Sequence, residues 1–267
     1  MNPRKPFVTA SPWRNRYLDN RTRIRAVLSV IGGFVLWEVV ARWVLTNRLI
    51  IVPFSTVMVT LWDLAHSGEL WKNVSASLTE FVVGFSLAMI AGIFFGFLTG
   101  TNTRAREYLE PLISALYATP LVALIPFYIV VFGIQLASKV ALVFTIAVFP
   151  ILINTQAGIL SVDRNLLEVA SSFRASRLQI FFKVQIPAAI PFVISGLRLG
   201  VGRALTGVVV AEFFFATAGV GFMISIASQN FDTAKVLLGV FIFSLAGVVA
   251  IGFLQRIEKR MAPWRLT

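Results

Sequence analysis

The chain has 267 residues, 57% of them hydrophobic and 13% charged, with a net charge of +12 and a mean hydropathy of +0.83. Soluble domains carry about 45–50% apolar and about 25% charged residues, and a water-facing globule of this composition would expose large apolar patches; most soluble enzymes and nucleic-acid-binding domains are excluded. A sequence without cysteine has no disulfide or thiolate site, and the single histidine, His66, leaves no histidine cluster for a metal and little for a Ser-His-Asp site.

In chain order, residues 1–25 form a basic tail with Arg4, Lys5, Arg14, Arg16, Arg21, Arg23 and Arg25. It is too long for the basic region of a signal peptide, and no small-residue cleavage site follows a short apolar core. It reads as a cytoplasmic segment lying on anionic headgroups. Spans need about 20 apolar residues, and six segments qualify. The first, 26–45, carries Glu38 and Arg42 on one helix face as an ion pair. The second, 78–100, has Glu80 near its outer end, within reach of the interface, and glycines at 84, 92, 96 and 100 that make a small-residue packing face. The third, 112–133, and the fourth, 140–160, are uncharged, and Pro120, Pro126 and Pro150 predict kinks in them. The fifth, 191–215, contains Arg198, Arg203 and Glu212. Residues 217–230, rich in Gly, Ser and Ala, read as a short re-entrant or interfacial piece, with a seventh span as the alternative. The last span is 236–254. These spans predict an all-α polytopic membrane protein with one membrane domain, 26–267.

The basic charge is an orientation signal. Of 24 Lys and Arg, 17 fall in the two tails and the loops after spans two and four, four on the opposite side and three within spans. That bias places both termini in the cytoplasm and makes nucleic acid an unneeded partner.

The loop 161–186 is more regular than a connection requires. Asp163-Arg164-Asn165 is a helix-start signal, with Leu166, Leu167, Val169, Ala170 and Phe173 following at helical spacing. Ala175-Ser176 reads as a break, and Leu178, Phe181, Phe182 and Gln185 as a second amphipathic run ended by Pro187. Periodicity alone leaves open a partner-binding pair of helices or a linker resting on headgroups.

The run Glu168-Val169-Ala170-Ser171-Ser172-Phe173-Arg174-Ala175-Ser176, then Ile186-Pro187 and Pro191, resembles the EAA loop of ABC-importer permeases. Gly196-Leu197-Arg198-Leu199, Gly202-Arg203-Ala204-Leu205, Val210-Ala211-Glu212-Phe213 and Gly219-Val220-Gly221-Phe222 resemble the fifth-helix region of the nitrate/sulfonate/taurine type, and Phe149-Pro150 through Thr155 its fourth helix. The likeness covers about residues 50–265. Two positions depart from the pattern: Val169 stands at the usual second motif Ala, and Arg174 at the motif Gly. Gly at a helix break adopts φ > 0 without strain, whereas Arg there costs roughly 1 kcal/mol or takes another conformation.

The resemblance implies a type I ABC importer permease fold with six membrane helices and a cytoplasmic coupling loop, in the bacterial inner membrane. It implies that Glu168, Val169, Ala170, Ser171, Arg174, Ala175 and Ser176 seat in a cleft of an ATPase. The implied partners are two ATPase subunits, a second permease copy in a homodimer, and a periplasmic or lipid-anchored solute-binding protein. With no G-x-x-x-x-G-K-[ST] sequence, ATP and its Mg²⁺ fall to the partner chains and the permease itself carries no cofactor or metal. Arg203, with Arg198 and Glu212, is the candidate solute pathway for a small anion such as a sulfonate, taurine or nitrate; the alternative is that Arg203 pairs with Glu212 or Glu80 and fixes packing. A carrier or channel working alone would need mid-membrane carboxylates or inverted repeats, and an intramembrane enzyme would need a catalytic set the spans lack.

Overall fold

The computed structural model describes residues 12–45, 47–215 and 217–261; Arg4 and Lys5 of the basic tail, and Arg265, lie outside them. Among the described residues every regular element is a helix. They are α1 (Pro12–Val39), which ends in a π-helical turn, Val40–Val44, then α2 (Phe54–His66), α3 (Glu69–Thr101), α4 (Thr103–Ala118), α5 (Ile125–Phe132), α6 (Leu136–Leu160), α7 (Arg164–Ser172), α8 (Arg177–Ile180), α9 (Ile186–Phe215), α10 (Val220–Gln229) and α11 (Thr233–Met261).

Five helical stretches are long and apolar enough to cross a bilayer, and a sixth crossing exists only as a bent pair. The expected span 112–133, with its predicted kink at Pro120, is that pair: α4 and α5 meet at 88° around Thr119, Pro120 and a 3₁₀ turn, Leu121–Leu124. Pro120 has no N–H to continue α4 and forces the preceding Thr119 out of the helical region, to ψ 135°. Pro126 sits in the first turn of α5, where no N–H is needed, so it starts a helix and does not kink one. Pro150 does lie inside α6.

The core is a layer of α3, α6 and α9. Cβ atoms built on Gly84, Gly92, Gly96 and Gly100 of α3 would strike Val143, Ile151, Thr155 and Ile159 of α6, in that order, so the two helices run parallel with backbones in close approach. The corresponding neighbours of Gly196, Gly200 and Gly207 on α9 are Asn154, Ile151 and Val143, which makes α9 antiparallel to α6. α6 is the middle of the layer, with half of its apolar window buried, whereas the span in α1 is 6% buried and offers its flanks to lipid.

Two further expectations are corrected. α3 begins at Glu69, not near 78, so Glu80 lies three turns inside the helix, 1% exposed, and does not reach the interface. The second half of the 161–186 loop is not a separate surface helix, because Arg177–Phe215 is one continuous span. Pro187 cannot donate to Lys183; a π-helical turn, Phe181–Gln185, carries the chain into it, with the Ile186 N–H bonded to Phe181 O five residues back. Residues 220–229 form a ten-residue helix about 15 Å long, too short for a seventh span.

Candidate functional site

At one end of the bundle α7 buries no residue of its own. Asp163 caps it, its side chain accepting from the Asn165 N–H at 2.9 Å, and Ser171 and Ser172 return their hydroxyls to Leu167 O and Glu168 O. The helix ends with Arg174 at φ 54°. The Arg174 N–H donates to Ser171 O at 2.9 Å and the Ala175 N–H to Ala170 O at 3.1 Å, the paired bonds of a Schellman cap. Arg174 therefore holds the left-handed conformation that glycine would adopt there. Ser176 restarts the chain as the N-cap of α8, in a reciprocal pair with Gln179. Glu168, Val169, Ser171, Arg174 and Ser176 are exposed, and Ala170 and Ala175 are half-buried. Leu166, Val169 and Phe173 add an apolar stripe, Phe173 being 83% exposed.

Charges within the bundle are mostly neutralised locally. Glu38 accepts from Arg42 at 2.6 Å, from the Ser55 N–H at 3.0 Å and from Ser55 Oγ at 2.8 Å. Lys139 Nζ donates to buried Glu80 at 2.7 Å, and Arg198 donates to Glu258 of α11 at 2.8 Å. Glu212 is fully buried and accepts from Ser77 Oγ and the Gly221 N–H, each at 2.5 Å. Ser77 Oγ also accepts from the Val220 N–H at 2.8 Å, and Asn73 Oδ1 from the Gly219 N–H at 3.0 Å. Three consecutive amides at the start of α10 are thus capped by side chains of α3 and α9. A Cβ at Gly219, φ 137°, would overlap the Glu212 carboxylate, so only glycine fits that turn.

Arg203 is different. It lies on an exposed face of α9 beside Gly202 and Thr206, and among the described residues it has no ion-pair or hydrogen-bond partner. Neither Glu80 nor Glu212 reaches it; Arg198, Arg203 and Glu212 are held apart in three separate environments. Lys139, Ser77 and Glu258, which engage the in-span charges, and Asn73, which caps the Gly219 amide, were not singled out in the sequence. Asn73 and Ser77, polar residues four apart on one face of an apolar helix, were the available signal.

A family model described as binding-protein-dependent transport system inner membrane component matches residues 88–263. The chain belongs to this family. It is 35% identical over 258 residues to a protein of Bacillus subtilis named for aliphatic sulfonates transport, the permease protein SsuC, covering 97% of this chain and 92% of that one. The taurine transport system permease protein TauC of Escherichia coli is 30% identical over 86% of this chain and 85% of its own, and the nitrate import permease protein NrtB of Leptolyngbya laminosa 28% identical over 92% and 91%. Among solved structures, an inward-facing MetNI methionine ABC transporter matches with a TM-score of 0.53 at 19% identity, covering 68% of this chain and 94% of that one, a likeness of fold. The chain is accordingly a permease subunit of an ABC importer, a multi-pass protein of the inner membrane with a transport role and not an enzymatic one. A carrier acting without partners is set aside by membership in a binding-protein-dependent system.

Proposed function

We propose that this permease carries a small anion, of the sulfonate, taurine or nitrate kind, along a path lined by the Arg203 face of α9. The observation that carries the reading is the contrast in charge pairing. Every other charged side chain singled out within the bundle is bonded to a neighbour, while Arg203 is exposed and has no partner among the described residues. An unpaired guanidinium facing hydrocarbon costs about 2.5–3.5 kcal/mol on insertion scales. A second permease copy closing a water-filled path over this face removes that cost. A planar fork of five N–H donors then suits sulfonate or nitrate oxygens.

The rest of the mechanism follows from the α7 end. With both termini and α7 in the cytoplasm, as the charge bias supports, α7 seats on one of two ATPase subunits that bind ATP and Mg²⁺. Glu168 and Arg174 are available for charged partners, and Ala170 and Ala175 permit close approach. Closure of the ATPases displaces α7, and the permease halves rock about their interface. A periplasmic or lipid-anchored binding protein delivers solute at the α10 end. Arg198, bonded to Glu258, and Glu212, buried against α10, act in this scheme by fixing the helices around the path.

The test is uptake of a panel of sulfonates, taurine and nitrate by the assembled transporter carrying Arg203→Gln or Arg203→Lys. Arg203→Gln is expected to lower uptake by about tenfold to a hundredfold, the loss of one charge-assisted contact, with binding-protein-stimulated ATPase retained and Arg203→Lys intermediate. Wild-type uptake by a folded, coupled Arg203→Gln transporter removes Arg203 from the path.

A further inference from the structure

α3 and α11 face one another across a gap and do not pack closely, although both pack on neighbouring helices. The gap contains two adjoining cavities of about 560 and 420 Å³, which share Phe81, Ala250 and Phe253. α9 forms the floor through Leu197, Val201 and Val208. Along α11 the lining extends from Ile242 to Met261, roughly 28 Å of helix. Among the described residues only Ser77 and Ser86 interrupt the apolar wall, and a single charged group, Arg256, lines it. Arg256 is exposed and, among the described residues, has no ion-pair or hydrogen-bond partner, while nearby Arg198 is bonded to Glu258.

What fills such a slot in a bilayer is decided by its apolar lining and its one charge. A flexible hydrocarbon chain adapts to a narrow, irregular trench; water does not, since the walls offer it almost no partners. A cation five residues before the end of α11, on the side marked cytoplasmic by the basic loops, complements a phosphate of an anionic leaflet. We infer that the α3–α11 groove binds an anionic phospholipid, with an acyl chain along Phe81, Ala250 and Phe253 and the phosphate on Arg256.

The experiment uses the full-length permease in nanodiscs containing phosphatidylglycerol with a photoreactive acyl chain, and the matching phosphatidylcholine probe. Cross-links are mapped by peptide, with the lipid-facing surface of α1 as the reference for bulk lipid. At equal probe density, phosphatidylglycerol is expected to label groove peptides of α3 and α11 about fivefold more than phosphatidylcholine, the effect of one basic side chain against an anionic headgroup. On α1 the two probes should label alike. Arg256→Gln is expected to abolish the preference, and Ala250→Trp to remove groove labelling by either probe without changing α1. Equal labelling of the groove by both probes in the unaltered protein overturns the inference, as does cross-linking of groove peptides to a second protein copy in place of lipid. The comparison of probes on the unaltered protein stands even if Ala250→Trp does not fold. Because no transport is measured, the outcome is independent of the role of Arg203.

Discussion

Glu212 has no exposed surface, yet among the described residues no cation lies within bonding distance of it. Its two oxygens instead accept from Ser77 and from the Gly221 N–H, at the positive end of α10. A carboxylate in that position satisfies amides that have no partner within their own helix and opposes the helix dipole. Glu38 does the same for α2 through the Ser55 N–H, in a more open setting. Glu212→Ala strips the buried Gly221 amide of its acceptor and leaves the Ser77 hydroxyl only the longer bond to Asn73 O, and is expected to cost about 2–3 kcal/mol. Ser77→Ala should cost about 1–2 kcal/mol. Melting of the purified permease would give both values. Because the residues share one network, the double variant should lose less than the sum of the two; strict additivity would mean that they act separately. Nothing local in the sequence announced this role, since Ser77 lies 135 residues from Glu212.

At the scale of helices, the seam between α3 and α6 sets how closely the layer packs. A Cβ on Gly96 would lie 2.5 Å from Thr155 Cβ and 2.8 Å from Leu152 O, and a backbone carbonyl has no rotamer to move into. Gly96→Ala is therefore expected to destabilise the permease by about 1–3 kcal/mol through overpacking. Gly32→Ala on α1, where nothing lies within 4 Å, should be neutral or stabilising by up to about 1 kcal/mol. Thermal unfolding in one detergent distinguishes them, and equal effects would show that the seam is loose. Half of this seam was legible beforehand: glycines recurring at four and eight residues mark one helical face. The other half was not, because Val143, Ile151 and Ile159 read like any apolar span. Hydropathy located the apolar centre of α3 but not its start, since Glu69–Ser77 is polar and still helical. It is also blind to direction: Pro120 announced a kink in the third apolar run, but nothing in the run showed that the bend is a right angle. α2 escaped notice because its thirteen residues are too few for a span, although Pro53 and the spacing of Val57, Leu61 and Leu64 fit an amphipathic helix.

For the whole molecule the question the proposed mechanism raises is how a displacement at α7 would reach the Arg203 face of α9. α7 joins α6 through the short turn at Ser161–Asp163, and joins the continuous Arg177–Phe215 span through Arg174–Ser176. α6 and α9 in turn are locked along Gly196, Gly200 and Gly207. A push on α7 thus meets two interlocked spans, one of which carries Arg203, with no flexible linker between. In the proposed coupling the apolar stripe on α7 is the surface on which an ATPase acts, because Leu166, Val169 and Phe173 are exposed and join no buried cluster among the described residues. Phe173→Asp should therefore change the stability of the isolated permease by no more than about 0.5 kcal/mol. In co-purification with the ATPase subunits it should weaken capture by at least tenfold, the loss of one aromatic anchor at a contact centre. Arg174→Gly separates backbone from side chain at the neighbouring position. Relief of the left-handed strain should stabilise the permease by about 1 kcal/mol. Capture should fall at the same time if the guanidinium touches the ATPase. A Phe173→Asp permease that captures ATPase normally would place the coupling contact elsewhere, and a destabilised one would mean that the stripe packs on its own chain.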